Sequence, residues 1–313
     1  MAGRRIVHTR RPLDLHATLG PLVHGGRRDP SLRVGSRDVW RASDTAAGPA
    51  TVHLQSTGPT TVAARAWGPG AEVALDSVPD LVGAHDDPPS LAGAHPLVTE
   101  LDRRAPGMRI GRAGGVLAAL LPTVLEQRVI GIEAGRAYRA MMRAGGRRAP
   151  QPRATDDVDD PAGAPALLLP PTPEWLRTTP YWTFHRWGVE QRRVNTIKYA
   201  AAHARRLSEA ESLPVDEARR RLFALRGVGP WTVNTVAELA LGDPDAVAVG
   251  DYWLKHVVTH ALTGEARGSD ERMLELLEPW RGQRGRVCRL LVRGGPALPR
   301  FGPRLPLQAI ANF

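Results

Sequence analysis

Residues 225–233 read Leu-Arg-Gly-Val-Gly-Pro-Trp-Thr-Val, and Asp251 follows Trp231 by twenty residues in the run Gly-Asp-Tyr-Trp-Leu-Lys. Helical patterns flank the Gly227-Val228-Gly229 segment on both sides, and three residues leave room only for a tight turn, so the fold must join two helices there. Pro230 suits the first position of the second helix, where its missing N–H costs nothing. The glycines leave consecutive backbone N–H groups open at that helix start, which makes an anion site suited to one phosphate. Asp251 then brings a carboxylate close to it.

The surrounding sequence supports a helical region. Residues 212–225 carry Pro214 near the start and Asp216 and Glu217 in the first turn; residues 232–241 stop at Gly242, and 252–262 are closed by Gly264. Val194, Ile197, Ala201 and Ala204 recur three and four apart, a spacing that gives one apolar stripe and leaves Arg192, Arg193, Arg205 and Arg206 to solvent. Residues 116–142 form a long apolar stretch broken only by Pro122. Strand signals are confined to the first part of the chain, at 51–55 and 60–67, with short helices at 70–75 and 78–82. The expected fold class is α+β: a small α/β domain over residues 1–95, a helical region over 96–293, and a Pro-rich tail over 294–313. Residues 144–173, rich in Gly, Pro, Asp and Ala with an acidic run at 156–160, read as a flexible loop that cannot bury enough apolar surface to fold.

Forty-two basic residues stand against 32 acidic ones, a net charge of +10 that suits a polyanionic partner. Only Lys198 and Lys255 are lysines, a skew that GC-rich codons alone could produce, but codon bias does not remove Asp and Glu. Arg103, Arg104, Arg109 and Arg112, Arg219 to Arg221, and Arg281, Arg284, Arg286, Arg289 and Arg293 are candidate phosphate contacts; for any single one a solvated helix face competes. No apolar run reaches about 18 residues and the first residues lack an apolar signal core, so a cytoplasmic protein is expected. Cys288 stands alone, which excludes an internal disulfide and a four-cysteine iron–sulfur cluster.

The hairpin, Trp231, the spacing and the Asp251-Tyr252 pair together resemble the helix-hairpin-helix, Gly-Pro-Asp superfamily of DNA glycosylases, most closely bacterial 3-methyladenine DNA glycosylase II. Pro106 to Ile110, Leu125 to Val129 and Leu169 to Pro173 resemble further family segments, so the likeness covers roughly residues 10 to 293. It implies a small antiparallel α/β domain followed by a helix-hairpin-helix bundle with the active-site cleft between helical subdomains. Asp251 falls at the family's catalytic carboxylate, a role compatible with its use as a helix N-cap. Trp231, Tyr252 and Trp253 fall where aromatic faces stack an extruded, cationic base. Arg226, Gly227, Val228, Gly229, Thr232 and Lys255 are the implied DNA contacts, and Arg128 stands where a relative inserts an apolar wedge.

Cleaving an N-glycosidic bond builds positive charge on the sugar, which an ionised Asp251 would stabilise, or it would position a water for attack on C1′. Alkylated purines leave without a general acid. Members that also cut the backbone hold a Lys at position 231 for a Schiff base; here it is Trp231. Lys255 is then read as a phosphate contact or as a partner of Asp251. The resemblance implies a monofunctional enzyme, a monomer on damaged double-stranded DNA, needing no organic cofactor, with a K+ or Na+ ion held by the backbone carbonyls of Gly227 and Gly229. A glycosylase for deaminated or oxidised bases and a non-catalytic lesion binder remain open, because Thr235 and Arg289 replace expected pocket aromatics. His256 and His260 have a metal-compatible spacing but no third ligand, Trp280 reads as core packing, and Cys288 as a small buried apolar residue.

Overall fold

A computed structural model describes residues 3–152 and 163–298. The acidic run at 156–160 and the tail from 299 onward lie outside the described residues. Five strands, β1 (Gly3–His8), β2 (Leu32–Val34), β3 (Asp38–Thr45), β4 (Gly48–Gly58) and β5 (Thr61–Trp67), form an antiparallel sheet in the order β1-β5-β4-β3-β2. Alternation puts Val39, Val52, Leu54, Val62, Ala64 and Ala66 into one core with α1 (Leu15–Leu19), α2 (Ala71–Asp76) and α3 (Val78–Leu81). Trp40 and Trp67 stack on the opposite face, ring centroids 5.6 Å apart. The sequence pattern marks β4 and β5 but not β1 to β3, since β1 turns Ile6 outward beside Arg4 and β3 buries Trp40 and Ala42 on the face opposite Val39.

Strands do not end there. Within the expected flexible loop, β6 (Arg147–Arg148) pairs with β7 (Leu168–Leu169). Ala149, Leu167 and Leu169 bury themselves against Trp40 and Trp67, a tertiary partner that composition alone does not reveal.

The remaining helices are α4 (Pro96–Arg104), α5 (Val116–Glu126), α6 (Gly131–Gly145), α7 (Pro173–Thr178), α8 (Tyr181–His185), α9 (Gln191–Ala202), α10 (Ala204–Ala210), α11 (Val215–Phe223), α12 (Pro230–Val236), α13 (Leu254–Thr263), α14 (Asp270–Leu277) and α15 (Arg284–Gly294). The expected break at Pro122 is displaced: Pro122 lies inside α5, and the chain breaks at 127–130 instead. Losing one ladder bond is outweighed by burial of Leu120, Leu121, Val124 and Leu125 around it.

α5 runs through the larger helical core, packed by α6, α9, α10 and α12. Arg193, expected in solvent, is buried because it shares the inner face of α9 with Ile197 and Ala200. Its guanidinium donates to Leu125 O at 2.8 Å and Gly188 O at 3.1 Å, so it closes the last turn of α5. α12 continues as a π turn over Ala237–Leu241, and its loosened ladder lets Leu239 O and Ala240 O accept bonds from Ala113 and Gly114 N–H. A second helical core joins α4, α13, α14 and α15 with Ala17 and Leu91. Trp280 is buried there and donates to Leu91 O at 3.2 Å; Cys288 is buried beside it, its thiol pushed up by burial.

Candidate active site at the hairpin

α11 ends at Phe223 and α12 begins at Pro230, so the turn between them is 224–229. Val228 N–H bonds back to Leu225 O at 3.1 Å and its side chain is buried, which pins the loop. Gly227 has φ +85°, and a Cβ there would lie 2.0 Å from Thr196 Oγ1 on α9. Only glycine fits. Gly229 is extended, with open space where a Cβ would stand. The N–H groups of Gly229, Trp231 and Thr232 have no protein acceptor among the described residues, and they share the positive end of α12.

Gln127, which the sequence reading holds only within the Leu125 to Val129 segment and gives no role, is part of this site. From the turn after α5 its Nε2 donates to Gly227 O at 3.1 Å and to Thr232 Oγ1 at 2.9 Å. Both partners are at least 100 residues away, so no local pattern could signal it. Arg128, next in the chain, is exposed.

Asp251 lies where α13 begins. Its Oδ1 accepts from Trp253 N at 2.7 Å and Leu254 N at 2.8 Å, while Oδ2 accepts from Trp231 Nε1 at 3.1 Å. One oxygen caps a helix and the other is tied to the hairpin. Among the described residues no cation contacts Asp251, so three neutral N–H donors orient a negative charge that nothing nearby neutralises. The expected pairing of Lys255 with Asp251 is not formed: Lys255 Nζ lies 3.6 Å from Asp270 Oδ2, on the adjoining helix. Asp270 also accepts from Gly250 N, so α14 holds both Lys255 and the backbone leading into Asp251. Tyr252 is 80% exposed and Trp253 47%, so the two rings following Asp251 form an open, solvent-facing surface.

The basic clusters divide in two. Arg281, Arg284, Arg286, Arg289 and Arg293 pair with Glu278, Asp245, Asp86, Glu238 and Asp14. Arg103 and Arg104 share Glu100, whose carboxyl the bond from Arg103 holds at about 2, and Arg219 and Arg221 pair with Asp243 and Glu209. Arg109 is buried and donates to Pro12 O. Most of these candidates therefore have carboxylate or carbonyl partners, buried at Arg109 and Arg286 and at the surface for Arg103, Arg104 and Arg281, while Arg112 and Arg220 form no ion pair among the described residues. Beside the hairpin, Arg128, Arg192 and Arg226 are exposed and form no ion pair among the described residues. Arg192 lies one helical turn before Thr196.

His256 Nδ1 accepts from Gly268 N at 3.1 Å, and burial, then the charges of Lys255 and Arg267, hold it below the ordinary histidine value. No group of metal-binding side chains occurs among the described residues, and no described helix is long and apolar enough to cross a membrane.

No family model matches the chain. The Bacillus subtilis DNA-3-methyladenine glycosylase is 31% identical over 65 residues, 21% of this chain and 22% of the relative. The matched segments span less than a third of each curated relative's length. A 3-methyladenine DNA-glycosylase from Archaeoglobus fulgidus superposes with TM-score 0.73 at 15% identity, covering 92% of this chain and 97% of that one. The fold is that of the helix-hairpin-helix DNA glycosylases. The Clostridium acetobutylicum 8-oxoguanine glycosylase/lyase also shares it, with TM-score 0.67 and 15% identity over 93% of this chain and 98% of that one. Helix-hairpin-helix geometry thus accounts for the turn at 224–229, and the α+β architecture agrees with these neighbours from the sheet through the helical cores.

Proposed function

We propose that this chain is a monofunctional DNA N-glycosylase of base excision repair, a monomer acting in the cytoplasm on damaged double-stranded DNA and releasing alkylated purines after base extrusion. The observation that carries this reading is Asp251, a carboxylate oriented by neutral donors, with no contacting cation among the described residues, and bonded to the helix whose amide end faces an anion site. The amides of Gly229, Trp231 and Thr232 hold a phosphate, with Arg226 and Arg192 adding charge at the rim. Asp251 stabilises the oxocarbenium sugar as the glycosidic bond lengthens, or orients the water that attacks C1′. A counter-cation on Asp251 would cancel that effect.

Trp231 occupies the position of the Schiff-base lysine, and Lys255 is held by Asp270. The bound base stacks on Trp231, Tyr252 or Trp253, the exposed rings gaining cover only when DNA is present. A K+ or Na+ ion at the hairpin would use the second lone pairs of the Gly227 and Gly229 carbonyls, since Gln127 Nε2 and Val233 N already take the first. Such an ion adds positive charge for the phosphate, and no step depends on it.

A second reading, a glycosylase for oxidised or deaminated bases, is favoured by Glu238, Thr235 and Arg289. The Arg289 guanidinium is spent on Glu238 at 2.7 Å, and Thr235 donates to Trp231 O at 2.9 Å, polar groups in place of pocket aromatics. A panel of duplexes carrying single alkylated, deaminated or oxidised bases, scored for free base released, separates the two. Release confined to non-alkylated lesions selects the second. Borohydride trapping tests the monofunctional mechanism: no covalent adduct is expected, and an adduct lost in Lys255→Ala would make Lys255 the nucleophile.

A further inference from the structure

Arg128 is the one non-glycine with positive φ, +57°, among the described residues. The conformation brings Cβ close to the following carbonyl and persists only where neighbours impose it. The neighbour here is Gln127, whose side chain bonds to Gly227 O and Thr232 Oγ1 across the hairpin. Below the turn, Arg193 fixes the end of α5 through Leu125 O. Two anchors therefore hold a four-residue turn, and the residue carrying the strain is exposed with a guanidinium that makes no bond or ion pair among the described residues. Gln127 spends both amide hydrogens on the segment that binds phosphate, and a glutamine used only for surface solubility would not.

We propose that Gln127 is a positioning residue: it locks the strained turn to the hairpin, so that seating of the hairpin on a phosphate and entry of Arg128 into the base stack occur as one rigid-body step. The inference rests on the DNA-binding reading above. Arg128 then fills the space an extruded base vacates, and its strained backbone keeps the side chain outside the protein core. Thr232 Oγ1 takes one of the Gln127 bonds and is adjacent in sequence to Trp231, which holds Asp251. Wedge, phosphate site and carboxylate thus share one short chain of contacts.

The test uses the full-length protein and a duplex with an abasic-site analogue opposite 2-aminopurine, whose fluorescence rises on unstacking. Wild type should raise the signal, and Arg128→Ala should abolish the rise. Gln127→Met keeps size and removes both donors: at saturating protein it should lose most of the amplitude while affinity stays within about threefold, because phosphate contacts are untouched. Base release at saturating substrate should fall about tenfold to 100-fold with KM unchanged. In an Arg128→Gly background, where the amplitude is already lost, Gln127→Met should slow base release no further, and Arg128→Gly alone should melt higher than Arg128→Ala because only glycine relieves the turn.

Full amplitude and rate in Gln127→Met would overturn the proposal, as would equal melting of the Gly and Ala variants. A fall in base release that Gln127→Met repeats undiminished in the Arg128→Gly background assigns Gln127 to general packing and overturns it too. If wild type releases no base from any lesion yet the fluorescence dependence holds, the glycosylase reading fails and the coupling stands.

Discussion

Trp231 Nε1 donates to Asp251 Oδ2 at 3.1 Å, and this bond ties the hairpin to the carboxylate. Asp251→Asn should abolish base release, by about 10²- to 10⁴-fold, while DNA affinity and melting temperature stay near wild type. Asn still accepts the Trp253 and Leu254 N–H bonds as a cap. Trp231→Phe removes one donor of about 1 kcal/mol and should slow release less than tenfold. Wild-type rates in a folded Asp251→Asn variant would remove Asp251 from the chemistry.

The two hairpin glycines should fail in different ways. A side chain at Gly229 meets open space, so Gly229→Val should fold normally and bind DNA about tenfold more weakly, losing close approach of phosphate to the amides. Gly227→Ala forces a Cβ onto Thr196 at positive φ and should cost about 1–3 kcal/mol of stability before any binding is measured. Thermal melting beside a DNA titration distinguishes them; the reverse pattern would place DNA elsewhere.

Arginines separate in the same manner. The Arg286 side chain is 2% exposed and pairs with Asp86, which also accepts from Ile110 N–H. Arg286→Ala leaves the half-buried Asp86 without its ion-pair partner and should cost about 3 kcal/mol. Arg226→Ala should leave melting unchanged and reduce the slope of log K against log salt by about 0.9. Identical salt slopes for Arg226→Ala and wild type would show that Arg226 touches no phosphate.

His256 gives a pH test. Burial, Lys255 and Arg267 push it below its ordinary 6.5, against the opposing charge of Asp270. The unfolded chain binds a proton at a pH where the folded one still excludes it, so stability falls as pH drops below about 6.5 and levels off once the folded imidazole protonates. His256→Gln should flatten that part of a melting-temperature profile. A profile that keeps its slope there assigns the acid sensitivity to other groups.

What could be read from the sequence was local. The Gly227 to Gly229 turn, Pro230 at a helix start, the capping geometry of Asp251 and the buried Trp280 all follow from neighbours within a few residues. What could not be read depends on distant partners. Arg286 looks like its neighbours until Asp86, 200 residues earlier, reaches it, and Arg193 looks solvated until Leu125 O accepts its bond. Of the two readings of Lys255, phosphate contact or partner of Asp251, the second fails for the same reason: the fold supplies Asp270 from the next helix. β1 to β3 escaped because their alternation is broken: Ile6 faces solvent on β1, and β3 buries Trp40 and Ala42 on the face opposite Val39.

The division of the arginines sets how the protein answers ionic strength. Pairs such as Arg286 with Asp86 lie shielded from mobile ions, whereas Arg226, Arg192 and Arg128 face a solution whose screening length is about 8 Å at physiological salt and shorter above it. Raising salt therefore weakens the grip on a polyanion well before it loosens the arginine pairs that hold the C-terminal helices. Eluted from heparin in concentrated salt, the protein should emerge folded, and it should rebind after dilution without a refolding step.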